Sequence, residues 1–392
     1  MLPRVAGTLR EDATRETGTA RSGRIRTSVG GVISIADVAA VPLDIELNEP
    51  FGIATGAQHV AQNVLVTLTL SDGTTGTGEA APFPAVNGET QRAVLSALAA
   101  AHSSLCGLDA LRWRPAVVVA EHALRGTPSA LAAFESALLD ALCRRARVSL
   151  WAFFGGAQPE LVSDITIPTG SAEHARAAAA RAVTAGFTTL KVKVGGVAFD
   201  EDRARLGAIV LAAPRARLVL DANASLSADA ALALLEALGP AKGQVALFEQ
   251  PTPKLDLDAL RRVREHGGVP VAADESAGSA RDVLAVVAAR AADVINIKTM
   301  KCGIVEALDM IAVARAAGLG LMIGGMVESK LSMTVSACLA AGQGGFSFVD
   351  LDTPWFMKDS PLSGGWVESG AALRVDHLTS GHGVVQTQAP NG

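Results

Sequence analysis

Apolar and polar residues alternate along the chain over residues 32–70. This period of two is typical of strands with one buried face, and Asp72-Gly73 is a common hairpin turn. Helical periodicity follows over residues 89–147. The pattern therefore predicts an α+β domain over residues 31–155. Residues 1–30 lack such a pattern and are rich in Arg, Thr and Gly, so we predict a disordered extension there.

A second pattern begins near Leu161, where short apolar strands alternate with Ala-rich helices that begin at serine and end at a small residue. The predicted strands are Ile165–Ile167, Leu190–Val194, Leu218–Leu220, Ala246–Phe248, Val269–Ala273, Val294–Ile297, Leu319–Ile323 and Phe346–Val349. Strands at intervals of about 25 residues, each followed by a helix, favour a parallel β/α barrel, which we place at residues 156–353. An open doubly wound sheet is the alternative, but no glycine-rich phosphate turn follows the first strand. Residues 354–392 follow the barrel, and the tail from Ser380 is predicted to be loose.

Two lysines interrupt one of the predicted barrel strands. Alternate residues of a strand share a face, so Lys191 and Lys193 lie opposite the apolar face of Leu190, Val192 and Val194. By itself, this K-x-K pattern indicates a solvated edge strand, because buried lysine is rare. The residues that end the neighbouring strands change that interpretation.

Ionisable residues lie where several of these strands end. They are Lys191, Lys193, Asp221, Glu249, Asp274, Lys298, Asp350 and Asp352. The carboxyl ends of the strands of a β/α barrel form one rim, where the catalytic groups lie. We therefore expect these side chains to converge, with both lysines of the K-x-K strand pointing toward the same site.

Three carboxylates follow successive strands, namely Asp221, Glu249 and Asp274. An aspartate after a strand is often a helix N-cap, which is the alternative for any one of them. Three carboxylates at one rim, however, repel one another unless a cation joins them. Carboxylate oxygens without nitrogen or sulfur donors suit Mg²⁺. The sequence therefore predicts a Mg²⁺ site formed by these three residues.

Lys193 and Lys298 follow strands that are about half a barrel apart. A metal ion that binds a substrate carboxylate makes the adjacent Cα–H more acidic by stabilising an enediolate. A lysine can act as the base if a neighbouring cation lowers its pKa. Two lysines on opposite faces of the substrate would carry out a 1,1-proton transfer, which is a racemisation or an epimerisation.

The composition of the chain bears on its partners and on its location in the cell. The chain has 392 residues and a formal net charge of −5, without a cluster of basic residues that would indicate nucleic-acid binding. No uninterrupted apolar run approaches the length of about 20 residues that a membrane span needs. The cysteines, Cys106, Cys143, Cys302 and Cys338, form no C-x-x-C pair. We therefore predict a cytoplasmic protein without disulfides or a zinc site.

The rim residues belong to longer motifs. They are LKVKVG (190–195), LVLDANAS (218–225), LFEQP (247–251), VAADES (271–276) and INIKTMKCGI (295–304). In this order the motifs resemble those of the enolase superfamily, and specifically of its muconate-lactonising-enzyme subgroup, whose sites use lysine bases with Mg²⁺. The resemblance implies a modified TIM barrel, (β/α)7β, with an α+β capping domain. That domain would be built from the N-terminal part and from residues 354–392.

The resemblance also implies roles for individual residues. Lys193 and Lys298 would be the acid/base pair, Lys191 would contact the substrate carboxylate, and Asn223 would lie beside the metal. Further positions that match the substrate pocket are Thr166, Gly325 and Glu328.

The stretch Asp350-Leu351-Asp352 resembles the D-x-D of dipeptide epimerases, in which both carboxylates hold the α-ammonium of the substrate. A solvated acidic turn is the alternative. Muconate and succinylbenzoate carry no ammonium group, and two unpaired carboxylates would repel these anions. We therefore predict a Mg²⁺-dependent epimerase that inverts the Cα of the C-terminal residue of a dipeptide, and we expect it to be a homo-oligomer.

Other functions share this machinery and stay open at this point. They are cycloisomerase, o-succinylbenzoate synthase and N-acylamino-acid racemase. A non-catalytic barrel is a further alternative, and it predicts the loss of a lysine or of a metal ligand. None of these residues is missing from the chain.

The loop before the second strand bears on the substrate side chain. Epimerases that act on Ala-Glu can present an arginine there, whereas residues 54–57 read Ala-Thr-Gly-Ala. Phe51 and Ile53 would make the loop apolar. We therefore predict hydrophobic or small L,L-dipeptides as substrates.

Overall fold

A computed structural model describes residues 32–387, except for residues 54 and 55 and for the side chains of residues 49–57. The predictions for residues 1–30, for the apolar loop at 51–57 and for the chain end after residue 387 lie outside the described residues. The described residues from Ile33 onward belong to one compact unit, so the predicted boundaries at residues 155 and 353 stay predictions.

The N-terminal part begins with an antiparallel sheet in the order β1-β2-β3. Its strands are β1 (Ile35–Ile53), β2 (Gly56–Leu70) and β3 (Thr75–Ala80). Gly73 has φ 85° and its N–H donates to Leu70 O, which confirms the predicted hairpin turn. Five helices follow: α1 (Pro84–Asn87), α2 (Gln91–Leu105), α3 (Trp113–Ala123), α4 (Pro128–Ala146) and α5 (Leu150–Phe153), with a 3₁₀ helix at Ala110–Arg112.

Helix α4 lies directly on strand β3 because two glycines remove the side chains between them. A Cβ at Gly76 would lie 2.2 Å from Ala137 O, and one at Gly78 would lie 2.1 Å from Ala133 O. Both distances are far inside van der Waals contact. The close approach buries almost the whole length of α4, so its polar side chains must find partners inside the protein.

The barrel follows a short strand, β4 (Glu160–Val162). Its strands are β5 (Ile165–Ile167), β6 (Thr189–Lys193), β7 (Arg217–Asp221), β8 (Val245–Glu249), β9 (Val271–Ala273), β10 (Val294–Ile297), β11 (Gly320–Ile323) and β12 (Phe346–Val349). The intervening helices are α6 (Ala172–Thr184), α7 (Phe199–Ala212), α8 (Ala228–Ala237), α9 (Leu257–His266), α10 (Ala280–Ala289), α11 (Thr299–Ala316) and α12 (Lys330–Gln343), with a 3₁₀ helix at Gly239–Gln244.

The eight barrel strands are parallel and neighbour one another in sequence order, from β5 to β12. The sheet closes where Asp164 N–H donates to Val349 O, at 2.8 Å, just before β5 and at the end of β12. Seven helices between eight strands confirm the predicted (β/α)7β barrel. A doubly wound sheet would reverse its strand order, so that alternative is excluded.

Alternate residues of the barrel strands face two different cores. Residues such as Leu190 and Val192 face outward and pack in the large core against the surrounding helices. A smaller apolar cluster fills the barrel interior near the amino ends of the strands, formed by Val219, Leu247, Ala272, Val294 and Met322. Asp221 and Glu249 lie two residues after Val219 and Leu247, on the same inward faces of their strands. The apolar cluster therefore lies directly beneath the polar site.

The C-terminal segment packs back on both parts. It contains a 3₁₀ helix at Thr353–Phe356 and the strands β13 (Leu362–Gly364), β14 (Val367–Ser369), β15 (Ala372–Arg374) and β16 (Val384–Gln386). Lys358 N–H donates to Glu46 O of β1, and β15 pairs with β4. The chain after the barrel therefore contacts the N-terminal sheet, as the resemblance implied.

The prediction of a loose tail from Ser380 is wrong as far as residue 387. Strand β16 pairs with β13, and His382 is fully buried. Gly381 and Gly383 have φ of 57° and 71°, a conformation that glycine adopts without strain, and this lets the chain turn into the protein. Among the described residues, no helix is both long and apolar enough to cross a membrane.

Candidate active site

The predicted site residues converge at the carboxyl ends of the barrel strands. Register places Lys193 beside Asp221 and Asp221 beside Glu249 on neighbouring strands. One cavity is lined by Thr166, Lys191, Lys193, Asp274, Lys298, Gly325, Asp350 and Asp352. Asp221 and Glu249 lie below it and are 1% and 0% exposed. The solvated-strand interpretation of Lys191 and Lys193 is therefore excluded, since both are buried.

Lys191 lies at the centre of the site. Its Nζ is 3.0 Å from Asp221 Oδ2, 2.7 Å from Glu249 Oε2 and 2.6 Å from Asp350 Oδ2. Burial by itself would lower the pKa of Lys191, but these three carboxylates outweigh it and hold the pKa well above its usual value. Lys191 is therefore a fixed cation that joins two groups of carboxylates.

Asp221, Glu249 and Asp274 are held in place by neighbouring polar groups. Asn296 Nδ2 donates to Glu249 Oε1 at 2.7 Å. Burial and the nearby charge of Asp221 raise the pKa of Glu249 to about 7. Gln250 Oε1, on a residue with φ of 32°, accepts from Asp274 N–H at 2.9 Å, which ties the end of β8 to the end of β9. The three carboxylates are thus oriented by the backbone and side chains that surround them.

The donor set fits the predicted Mg²⁺. Seven carboxyl groups and four lysines meet at this end of the barrel; they are Asp164, Asp221, Glu249, Asp274, Glu275, Asp350 and Asp352, with Lys191, Lys193, Lys298 and Lys301. Burial raises the pKa of four of these carboxyl groups, namely Asp164, Glu249, Glu275 and Asp352, so a bound cation would favour their ionised form. Asn223 Oδ1 and Glu275 Oε2 are buried without a hydrogen-bond partner among the described residues. A site whose ligands are all oxygen atoms, with further unpaired oxygen atoms buried beside them, suits a hard divalent cation.

Lys193 and Lys298 project from β6 and from the end of β10, on opposite sides of the barrel. Lys193 Nζ donates to Asp221 Oδ2 and Lys298 Nζ to Asp274 Oδ2, both at 2.6 Å. Burial would lower the pKa of Lys298, but Asp274 and Glu249 raise it above its usual value. The groups that keep Lys298 protonated are thus the same carboxylates that fit a cation. A cation bound there would compete with the lysine for them.

A second group of carboxylates lies on the other side of Lys191. Asp164, Asp350 and Asp352 have carboxylate oxygens within 4.8 Å of one another, and all three are buried. Asp352 Oδ2 accepts from Thr166 N–H at 2.6 Å, while burial and Asp350 raise the pKa of Asp352 to about 7. This crowding of negative charge makes a site for a cation such as an ammonium group.

Hydrogen bonds join the turn after β11 to the turn that contains Asp352. Glu328 N–H donates to Thr353 Oγ1 at 3.1 Å, and Thr353 Oγ1 donates to Glu328 O at 2.7 Å. A Cβ at Gly325 would lie 2.4 Å from Met333 Cε and 2.8 Å from Glu328 Oε1, so a larger residue there would displace these side chains. Phe83, Val86, Met326 and Met333 give this side of the cavity an apolar wall.

Sequence reasoning missed four polar residues of the site, namely Asp164, Glu275, Asn296 and Lys301. Lys301 Nζ bonds to Asp274 Oδ1 and to Asp274 O, both at 2.7 Å. Asp164 precedes Thr166 by two residues, and Asn296 precedes Lys298 by two. The period-two rule that selected the rim residues would have found Asp164 and Asn296 as well.

Comparisons with known proteins agree with this geometry. Residues 35–155 match the family described as mandelate racemase / muconate lactonizing enzyme, N-terminal domain, and residues 174–388 match the enolase C-terminal domain-like family. The chain is 47% identical to an aromatic dipeptide epimerase from Herpetosiphon aurantiacus over 90% of this chain and 98% of that one. It is 37% identical to a hydrophobic dipeptide epimerase from Citrifermentans bemidjiense over 83% of this chain and 90% of that one.

A solved structure has the same fold. It is a dipeptide epimerase from Enterococcus faecalis in complex with Mg and the dipeptide L-Leu-L-Tyr, with a TM-score of 0.86 and 32% identity over 90% of this chain and 100% of that one.

Proposed function

The chain belongs to the mandelate racemase / muconate lactonizing enzyme family of the enolase superfamily, and on that premise we propose that it is a Mg²⁺-dependent dipeptide epimerase. It is an isomerase that inverts the Cα of the C-terminal residue of a dipeptide by two-base proton transfer. The relatives that are 37–47% identical are dipeptide epimerases.

The observation that carries this proposal is the pair Asp350 and Asp352 in one cavity with Lys193 and Lys298. The lysine pair fits a proton transfer at carbon, but it does so equally well in a racemase of N-acylated amino acids. The buried carboxylates add a site for a free ammonium group, which an N-acylated amino acid lacks. A dipeptide has both an ammonium and a carboxylate, one for each of these two groups of charged side chains.

Each group of residues has a separate role in the proposed reaction. Asp221, Glu249 and Asp274 would hold Mg²⁺, which when bound supplies the positive charge that acidifies the Cα–H beside the substrate carboxylate. Lys193 removes or returns the Cα proton on one face, and Lys298 does so on the opposite face. Lys191 holds its ammonium beside the substrate carboxylate, while Asp350 and Asp352 bind the substrate ammonium. Thr166 and Gly325 border the bound dipeptide.

The apolar wall of the cavity supports hydrophobic substrates. Phe83 and Val86 of the N-terminal part line the cavity together with Met326 and Met333. A hydrophobic side chain buried there would gain about 1.5–3 kcal/mol, whereas a charged one would lose its hydration without a partner. We therefore propose dipeptides whose C-terminal residue is aromatic or otherwise apolar. The cytoplasmic location and the homo-oligomer stay predictions.

The test is exchange of the Cα proton in D₂O, followed by mass spectrometry with purified protein and Mg²⁺. A library of L,L-dipeptides is compared with the same dipeptides acetylated at nitrogen and with N-acylamino acids. We expect deuterium at the C-terminal Cα of the free dipeptides and little in the other two sets. Exchange confined to N-acylamino acids would instead support a racemase, and no exchange in any set would overturn the proposal.

A further inference from the structure

Helix α11, which follows Lys298, has an irregular beginning. Gly303 has φ 84° and ψ 174°, so residues 299–302 form a separate turn and the regular helix begins after the glycine. The beginning of this regular helix carries backbone N–H groups that have no partner within the helix. Their partner comes from a different part of the chain.

Glu135 of helix α4 supplies that partner. Its Oε2 accepts from the backbone N–H of Ile304 and from that of Val305, the latter at 2.9 Å. Glu135 is 1% exposed. A carboxylate at the beginning of a helix accepts unpaired N–H groups and lies at the positive end of the helix dipole. Glu135 therefore serves as an N-cap that is provided from the N-terminal part of the protein.

The contact depends on Gly303. A Cβ at this position would lie 2.8 Å from Glu135 Oε1 and 2.9 Å from Oε2, so any larger residue would push the carboxyl group away. Its positive φ also favours glycine. Helix α4, which carries Glu135, is itself packed closely on β3, because Gly76 and Gly78 have no side chains that would separate them.

The turn that this contact holds carries two lysines of the site. Lys301 N–H donates to Lys298 O at 3.0 Å, and Lys301 Nζ donates to Asn296 O at 2.9 Å. Both lysines bond to Asp274, as described above. A shift of the turn would therefore move Lys298 relative to the cavity. Lys193 lies on β6 and donates to Asp221, and no hydrogen bond joins its side chain to this turn within the described part of the chain.

We infer that Glu135 is a positioning residue for Lys298, which fixes one of the two bases of the site through the beginning of α11. The inference rests on the proposed function, because it needs two bases that act on opposite faces of the substrate. A displacement of a catalytic group by about 1 Å can slow a reaction about 100-fold. Loosening the contact should thus slow the Lys298 step and spare the Lys193 step.

The test compares exchange from the two epimers of one dipeptide, L,L and L,D, in D₂O. Lys298→Ala first identifies which epimer Lys298 deprotonates. In Glu135→Gln we expect initial Cα exchange of that epimer to fall about 10-fold, with exchange of the other epimer changed less than about 2-fold. Gly303→Ala disturbs the same contact from the other side and should give the same asymmetry. Glu236→Gln removes an exposed carboxylate of α8 and serves as the control.

Equal slowing of both epimers, or no change in either, would overturn the positioning role. If Glu135→Gln does not fold, as judged by near-ultraviolet circular dichroism, Glu135→Asp decides, since it keeps the carboxyl group and only shortens the side chain, and it should slow exchange of the same epimer. Failure of the proposed function has a different signature, because the wild-type protein would then exchange neither epimer.

Discussion

Lys191 and Asp350 form a buried ion pair inside the barrel, with 2.6 Å between Nζ and Oδ2. The same ammonium group contacts Asp221 and Glu249. Lys191 thereby connects the carboxylates that fit Mg²⁺ to the carboxylates that fit the substrate ammonium. The two ends of the proposed dipeptide site are thus tied together by one side chain.

Lys191→Met should be destabilising as well as inactive. It leaves three buried carboxylates without their shared cation, and removal of one partner of a buried ion pair costs about 3–5 kcal/mol. Lys193→Met, which breaks one ion pair instead of three, should cost less. Urea unfolding of both variants without Mg²⁺ measures which of them loses more free energy of unfolding. Equal destabilisation would contradict the central position of Lys191.

Asp352→Asn tests the ammonium site. Asparagine has nearly the same shape and can still accept the hydrogen bond from Thr166 N–H. It lacks the charge that would bind the substrate ammonium, and a hydrogen bond to a charged group contributes about 2 kcal/mol. We therefore expect KM for a free dipeptide to rise about 30-fold, with a smaller change in kcat. An unchanged KM would favour a cycloisomerase or a racemase of N-acylated substrates.

Mg²⁺ binding can be measured without any substrate. A ligand that binds only the folded protein stabilises it by about 2.7 kcal/mol at 100 times its Kd, so Mg²⁺ should raise the melting temperature. Chelation with EDTA should reverse the effect and abolish Cα exchange. In Asp274→Asn the rise should be lost, whereas Asp229→Asn, at an exposed ion pair with Arg262, should retain it. A rise that persists in Asp274→Asn would remove this residue from the proposed metal ligands.

Most of the barrel could be predicted because each strand is a short apolar run with turn residues on both sides. The rim residues followed from the same pattern, since a polar residue at a strand end stands out against valine and leucine. Lys191 was ambiguous in isolation, and only the carboxylates on neighbouring strands revealed that it faces the barrel interior. The site was thus predictable where local periodicity and fold geometry point to the same residues.

The misses have long-range causes. Period two would have placed Asp164 on the inward face, but its meeting with Asp350 depends on closure of the barrel between β5 and β12, which the sequence around residue 164 does not show. Lys301 reaches Asp274 because α11 is irregular at Gly303. The segment from Ser380 is rich in glycine and polar residues, which is typical of a loose tail. It is ordered by a partner that lies far away in the sequence, Asp140 of α4.

Asp140 is a buried junction of three segments. Its Oδ2 accepts from Thr77 N–H of β3 at 3.0 Å and from Arg144 Nε at 2.8 Å, and its Oδ1 accepts from His382 N–H at 3.0 Å. Burial would raise the pKa of Asp140, but His382, Arg144 and Thr77 together hold it below its usual value. The ionised carboxylate therefore stabilises the folded protein.

Asp140→Asn should destabilise the protein by about 3 kcal/mol near pH 7, because it removes the charge from a buried, fully bonded junction. A pKa that is lower in the folded than in the unfolded state gives stability that is present above the unfolded pKa, about 3.9, and is lost as pH falls through the folded pKa. The difference between variant and wild type in urea unfolding should therefore shrink below about pH 4. Asp37→Asn, at an exposed pair with His102, should leave the free energy of unfolding almost unchanged. A difference that is independent of pH would show that Asp140 acts through packing rather than through its charge.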